Sequence, residues 1–539
     1  MTLFRLGLRL HRSGAILTVA IAAANAFGQT LGYAQVAGRT PEERALFARS
    51  MELLGRQLTY VLPVPTQLDT LAGYVDWRQL GIMPIFLGFW ALVAASGAGR
   101  GDEERGLVEH WLGAGVSRGA YVAARVSAFA AAATLVIALA LAATATGAAL
   151  AGAPLPIGPL ALQGIALLGL TLCCYGVALA LAQLAGTRRG AIGVGAAVLG
   201  ALYLVNASAR SGGLEDIRWV SPFSAYDRSH PLLREGSLDV PATLALFAAA
   251  AALCVIAALA FRARDVGAPL LRGRPRGGVS TARPSGDPLL RLPVLALVDQ
   301  QRGGIALWMA GVAALAVFLL SFTRTLVDSI ATVPSMRAYL ERAGLGDYAS
   351  FVSAIWLSTL LLFVSLYAIA EANTWASDDA EGRLDLVLSQ PVSRARVVLE
   401  RLAALLLAAT GVIGAGSVAT LAAAAAANIA LDPGRFALAS ALMLGVAFAL
   451  GGLGAAGVAW RPRATVTALA AWTAVSYFTQ QFAPLFDWPG WVADLSFFAL
   501  YGQPLSRGVD WPRSAALVAI GLVGSTLAIA AMRRRDVGR

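Results

Sequence analysis

The amino-acid sequence predicts an all-α, polytopic membrane protein of about twelve transmembrane helices, built as two parallel six-helix repeats with pseudo-two-fold symmetry. Three observations lead there. Only 14% of the 539 residues are charged and 58% are hydrophobic, whereas a soluble chain is about a quarter charged. The charges separate long uncharged blocks, each near the roughly 20 residues that a helix needs to cross a bilayer core. The second half of the chain also repeats features of the first, in the same order. Lipid offers backbone groups no hydrogen-bond partner, so the blocks are expected as helices.

Taken in order, the predicted spans lie near 13–33, 80–99, 119–149, 157–186, 190–210, 241–261, 303–323, 351–372, 397–428, 435–459, 464–483 and 512–532. The start, MTLFRLGLRLHRSGAILTVAIAAANAFG, has the basic, apolar and small-residue order of a signal peptide. It reads instead as an uncleaved first span, because LVDQQRGGIALWMAGVAALAVFLLSF, Leu297–Phe322, looks like the same element in mid-chain. After the first span, TPEERALFARSMELLGRQL, Thr40–Leu58, opens with an N-cap Thr, Pro at the first helical position and early Glu. It predicts an amphipathic external helix. The matching segment 324–350 is shorter. Between the sixth and seventh spans, RGRPRGGVSTARPSGDP, Arg272–Pro288, is a Pro/Gly/Ser-rich linker. The chain thus divides into an N-terminal six-span half (1–270), a cytoplasmic linker (271–293) and a C-terminal six-span half (294–539).

Every one of the 42 basic residues is Arg, and the net charge is +11. An inside N-terminus puts the arginine-rich segments, chiefly Arg262 to Arg302 and Arg533–Arg535, on the cytoplasmic side, as the positive-inside rule favours. Both termini are then cytoplasmic, and the Ala-, Gly- and Arg-rich composition points to the plasma (inner) membrane of a GC-rich bacterium. Topology accounts for the basic excess, so no nucleic-acid partner is expected.

The repeat is most explicit around the second and third spans of each half. Asp102–Val126 aligns without a gap on Asp378–Leu402. Asp102, Gly106, Leu112, Val116, Ser117, Arg118, Val122 and Arg125 meet identical residues, and Glu109 meets Asp385. Further matches are Asp265–Val266–Gly267 with Asp536–Val537–Gly538, Tyr203 and Asn206 with Tyr477 and Gln480, and Pro63, Gly73 and Asp76 with Pro334, Gly344 and Asp347. WVSPFSAYDRSHPL is echoed by WVADLSFFALYGQPL.

Residues 373–396, and 100–118 equivalently, form a charged elbow between two apolar spans. Ser377 is expected to cap a short helix with Asp378, Asp379 and Glu381 in its first turn. Leu384, Val387 and Leu388 would form one apolar stripe, and Pro391 would end the helix. Such a helix either rests on lipid headgroups or docks a cytoplasmic partner, and its recurrence in both halves favours docking. The candidate docking residues are Asp102, Glu103, Gly106, Glu109, Leu112, Ser117 and Arg118 in the first elbow. In the second they are Asp378, Asp379, Glu381, Gly382, Asp385, Leu388, Pro391, Ser393 and Arg394.

The second elbow, EGRLDLVLSQPVSRARVVLERL, Glu381–Leu402, resembles the loop motif of bacterial ABC type-2 permeases, where an acidic residue and Gly precede a leucine-rich helix and PVSR. The doubled chain resembles, over essentially its whole length, permeases of the polyketide-antibiotic exporter group (tetronasin-resistance type). The resemblance implies that each elbow is a coupling helix docking into a cytoplasmic ATPase. Two ATPase copies, which bind ATP and Mg, would drive the halves between inward- and outward-facing states and export a hydrophobic or amphipathic antibiotic, drug or lipid-like compound. It also implies interfacial helices at residues 2–12 and 291–302, beside the coupling helices. The first elbow departs from the motif: Gly115 stands for Pro391, and His110–Trp111 for Leu386–Val387.

The chain has no Lys, so a Walker A loop, which needs Lys to reach the phosphates, is impossible. The chain is therefore not expected to be an enzyme by itself or to bind a cofactor. GLGAAG, Gly452–Gly457, matches a dinucleotide fingerprint but lies within an apolar helical run, where it reads as close helix packing. His11, His110 and His230 are scattered, and Cys173, Cys174 and Cys254 lack metal-ligand spacing, so no metal site is expected. Span interiors are nearly free of ionisable groups; Glu371, at a span end, is the nearest case. That argues against a proton-coupled 6+6 secondary exporter, the main rival reading. A membrane scaffold or lipid-handling protein without transport is the other. Aromatic and polar residues of the second and fifth spans of each half are candidate cargo-cavity residues: Phe86, Phe89, Trp90, Tyr203 and Asn206, then Trp356, Phe363, Tyr367, Trp472, Tyr477, Gln480 and Gln481.

Overall fold

The backbone is helical wherever it is regular, and the reason is visible at the helix starts. Thr40 Oγ1 accepts a hydrogen bond from the Glu43 N–H, and Glu43 Oε2 accepts from the N–H groups of Thr40 and Arg39. This reciprocal cap fixes the start of Pro41–Gly55, and the bonds from Thr40 and then Arg39 hold the Glu43 carboxyl below its ordinary pKa. Thr187 and Asp239 cap the helices that follow them, as does Asp432, and Pro sits in the first turn after Asp239 and Asp432.

The computed structural model describes residues 3–55, 59, 62–270, 287–331, 348–483 and 488–534. No strand occurs among them. Most of the predicted linker lies outside the described residues, as do Pro334, Gly344, Asp347 and Asp536–Gly538. The chain forms two units, Met1–Ser280 and Thr281–Arg539.

Unit 1 contains α1 (Leu3–Ala37), α2 (Pro41–Gly55), α3 (Leu71–Glu104), α4 (Leu107–Gly113), α5 (Arg118–Leu150), α6 (Ile157–Ala182), α7 (Arg188–Arg210), α8 (Pro222–Tyr226) and α9 (Val240–Ala263). Turns of the wider π type interrupt α3 at Val75–Leu80 and Gly97–Gly101. Unit 2 contains α10 (Pro293–Ala331), α11 (Ser350–Ala380), α12 (Arg383–Leu388), α13 (Arg394–Ala426), α14 (Pro433–Trp460), α15 (Pro462–Phe482), α16 (Gly490–Asp494), α17 (Phe497–Tyr501) and α18 (Trp511–Arg534).

Among the described residues, eleven helices are long and apolar enough to cross a membrane: α1, α3, α5, α6, α7 and α9 in unit 1, and α10, α11, α13, α14 and α18 in unit 2. The expected span at 464–483 coincides with α15, a helix of 21 residues. It falls short on apolarity because Thr465, Thr467, Thr473, Ser476, Thr479 and Gln480 lie along it. The short interfacial helices implied at 2–12 and 291–302 are not separate elements. Leu3–Ala37 and Pro293–Ala331 each run without a break, and only one turn, Pro288–Arg291, precedes the second.

Each unit has its own apolar core. In unit 1, α1 lies along α5 and α6 lies between α3 and α9; in unit 2, α10 lies along α13 and α14 lies against α11 and α18. Glycine permits the tightest of these approaches. A Cβ on Gly452 would fall 2.5 Å from the Gly521 carbonyl oxygen, and one on Gly524 equally close to Gly452 backbone. The GLGAAG run is thus a helix-packing surface between α14 and α18.

Candidate functional site

The elbows are built from a glycine, a cap and an arginine, and the same three devices recur in both units. Gly106 (φ 68°) and Gly382 (φ 71°) adopt the left-handed conformation that ends the preceding span and opens α4 or α12. Ser117 Oγ accepts from the Ala120 N–H, and Ser393 Oγ from the Arg396 N–H, so each serine caps the next long helix. Arg118 Nη1 donates to the carbonyl oxygens of Phe261 (3.0 Å) and Arg262 (3.2 Å) at the end of α9. Arg394 Nη1 donates to those of Met532 (2.6 Å) and Arg533 (3.2 Å) at the end of α18. A cation placed on the last carbonyls of a helix satisfies both their acceptors and the helix dipole.

An ion pair then ties each elbow to the span after it. Asp102 meets Arg125 at 3.0 Å and Arg105 at 2.6 Å, and accepts from the Tyr121 hydroxyl at 2.7 Å. Asp378 meets Arg401 and Arg383, each at 2.9 Å. The elbow helices are anchored by Val108, fully buried against Tyr121 and Phe261, and by Leu384, 5% exposed. Leu112 and Leu388 pack partly buried one turn further on. Leu3 of α1 joins the first of these clusters, which is the neighbour relation expected for the N-terminal segment.

The elbows end differently. In the first, Gly115 (φ 85°) closes α4 while the Val116 N–H donates to the Trp111 carbonyl, a glycine helix stop. In the second, α12 stops at Leu388, before Pro391. The missing proline is replaced by a glycine that does the same work.

Several expectations need correction. Ser377 does not cap a helix: α11 continues through it to Ala380, and its hydroxyl donates to the Asn373 carbonyl at 2.9 Å. Val387 is 44% exposed and is not part of the buried stripe, which is Leu384 and Leu388 alone. Asp102 and Glu103 have side chains only 1% and 4% exposed, so they hold the elbow from inside and present nothing to a partner. Glu103 accepts from Arg100 Nη1 and Arg264 Nη1, both at 3.0 Å, and from the Gly267 N–H at 2.9 Å. Arg100 also donates to the carbonyls of Ala182 and Ala268, and Arg264 to Gln183 Oε1. This buried clamp joins α3, the end of α6 and the segment after α9. Glu109 and His110, and Asp385, Leu386 (71% exposed) and Val387, face outward, while Glu381 pairs on the surface with Arg383.

Within each unit the candidate cargo residues have different surroundings. Trp90 is buried, its ring 4.9 Å from Phe129. Asn206 donates to Asp227 at 2.8 Å, and Trp356 donates to Thr420 Oγ1 inside unit 2. Tyr367 and Phe363 pack on Trp308, and Tyr477 packs on Phe498. Trp90, Asn206, Trp356 and Tyr367 are therefore interior packing residues within their units. Tyr203 packs edge-on to Phe223 and Gln480 is half-buried, whereas Phe86 (40%), Phe89 (65%) and Trp472 (37%) are exposed. The Gln481 side chain lies outside the described residues. Glu371 is buried and accepts from Gln301 at 3.1 Å.

The sequence reading missed a polar corner at the other end of unit 1. Arg210 grips Asp227 through both carboxylate oxygens, at 2.6 and 2.8 Å, and His230 lies between Asp76 Oδ2 (2.7 Å) and the Asp227 carbonyl (2.8 Å). Burial disfavours the imidazolium, but the hydrogen bond and charge of Asp76, with the charge of Asp227, outweigh it and raise the His230 pKa. The signal available was the charge density of AYDRSHP next to the repeat match at Asp76. No group of three or more His, Cys, Asp or Glu suited to a metal occurs among the described residues.

Long apolar helices joined by charged elbows, with no strand among the described residues, define a multi-pass membrane protein. More particularly, a family model described as multidrug efflux system permease Rv1217c, C-terminal domain, matches residues 63–262 and 290–533. The chain belongs to that family. No curated protein matches it.

Proposed function

We propose that this permease is the membrane subunit of an ATP-driven ABC exporter that moves hydrophobic or amphipathic compounds out of the cell. In this reading two copies of a separate cytoplasmic ATPase bind ATP and Mg and seat on the two elbows. The observation that carries it is the duplicated elbow: a left-handed glycine, a buried aliphatic anchor, a serine cap and an arginine on the closing helix, twice. A lever must transmit force without bending, and each elbow is fastened to the spans on both sides. Asp385, Leu386 and Val387 on α12 offer an outward acidic and apolar surface to a partner.

The twelve-span, two-repeat arrangement belongs to the same proposal, with α15 as the twelfth span. So does the orientation, in which the elbows face the cytoplasm of the bacterial plasma membrane; the arginine-rich segments at that end support it. The absence of Lys supports a separate ATPase.

The test is dye transport into inverted vesicles from cells co-expressing the chain with its ATPase. The reading expects uptake that needs hydrolysable ATP and survives an uncoupler. Uptake that follows an imposed proton gradient without ATP would replace it with the secondary-exporter reading.

A further inference from the structure

The corner where α14 gives way to α15 holds a groove that the elbows do not use. Its volume is about 670 Å³, within the range of sites that take small organic molecules. Gly457, Ala459 and Ala464 make a low apolar floor, and Trp460, Arg461 and Arg534 stand around it. The floor is low because α14 and α15 meet closely there: a Cβ on Gly457 would fall 2.5 Å from the Thr465 side chain.

The rim is what asks for a ligand. Trp460 is 77% exposed, and both arginines are exposed. Among the described residues neither guanidinium has a hydrogen bond or ion pair, and none of those lining the groove is a carboxylate. The Arg534 side chain is not needed at the end of α18, because Arg394 already occupies the Met532 and Arg533 carbonyls. At the corner of unit 1 where α6 gives way to α7, Arg188 and Arg189 are exposed beside a buried clamp. There Gln183 and Arg264 are buried and bound to each other, and Glu103 neutralises the cation.

This groove sits at the ends of α14 and α18, both of membrane-spanning length. Interfacial indoles settle at headgroup depth, guanidinium forks match phosphate oxygens, and basic pockets between spanning helices suit anionic head groups. We propose that the groove binds the phosphodiester head group of an anionic phospholipid from the adjoining leaflet, held by Arg461 and Arg534 with the glycerol under Trp460. The acyl chains then run along the apolar flank of α14 and α18. The inference does not rest on ATP-driven transport and can fail or succeed separately.

The experiment is native mass spectrometry of the full chain released from nanodiscs that contain phosphatidylglycerol and phosphatidylcholine in equal amounts. The wild type is expected to retain phosphatidylglycerol preferentially. One arginine near an anionic surface contributes about a fivefold preference, so Arg461→Ala with Arg534→Ala should lower it roughly thirtyfold. Arg461→Lys with Arg534→Lys should keep most of it, and Arg189→Ala, at an exposed site in unit 1, should leave it unchanged. Glycerol 3-phosphate and inorganic phosphate should not displace the lipid. An unchanged preference in the double alanine variant, with the thermal stability of the wild type in phosphatidylcholine, would overturn the proposal. Displacement by the soluble phosphates would overturn it too, since the occupant would then be a free anion.

Discussion

Asp102 and Asp378 hold matching places in the two elbows, but their surroundings differ. The Asp102–Arg125 pair is only 1% and 5% exposed, whereas Asp378 and Arg401 are 23% and 16% exposed. Removing one member of a buried pair strands the other charge and costs about 3–5 kcal/mol, and the water that reaches Asp378 and Arg401 screens part of that loss. Asp102→Ala should therefore lower the unfolding temperature in detergent clearly more than Asp378→Ala, and the reverse order would show that burial is misjudged. His230 supplies a second residue-scale outcome. Its pKa is raised in the folded chain by Asp76 and Asp227 against the opposing effect of burial. Its contribution to stability is thus fully present below the unfolded value near 6.5 and is lost as pH rises through the higher folded value. A thermal-melt series across that window should show the fall in the wild type, and Asp76→Asn should flatten it.

At the scale of elements, the elbows show that one shape can be closed in two ways. Glycine in the left-handed region is required at Gly382, and an alanine there costs about 1–2 kcal/mol. Gly382→Ala is expected to speed hydrogen exchange within Arg383–Leu388 while the flanking spans stay protected; unchanged exchange would show that the turn does not depend on it. The α14–α18 contact offers a stronger case. Gly452→Leu would force a side chain into backbone 2.5 Å away, and overpacking of that kind costs about 1–3 kcal/mol or more. Most of the helices were legible in the sequence because apolar blocks bounded by Pro, Thr, Ser and Asp leave one physical option. Ser377 misled because a serine before three acidic residues has the look of a cap, yet nothing there breaks α11 until Gly382. The clamp of Arg100, Glu103 and Arg264 was not legible at all. Its partners are carbonyls and a glutamine from segments far apart in the chain, and no local pattern records that meeting. The surroundings of the aromatic residues were not legible either, because composition cannot distinguish a packed Trp356 from an exposed Trp472.

At the scale of the whole molecule, the chain is a multi-pass permease of a multidrug efflux family, and the proposed ATP-driven mechanism rests on the elbows. The outward surface of the second elbow is Asp385, Leu386 and Val387, while the inward residues Leu384 and Leu388 maintain its shape. That division makes a clean experiment possible, since the outward pair can be changed without disturbing the core. The most direct measurement is co-purification of the ATPase with the wild type and with a Leu386→Asp, Val387→Asp variant, scored by stoichiometry and by stimulated ATP hydrolysis. The account expects the variant to keep the wild-type unfolding temperature while its ATPase binding falls at least about tenfold, the equivalent of 1.4 kcal/mol. Full association and undiminished hydrolysis in a folded variant would contradict it.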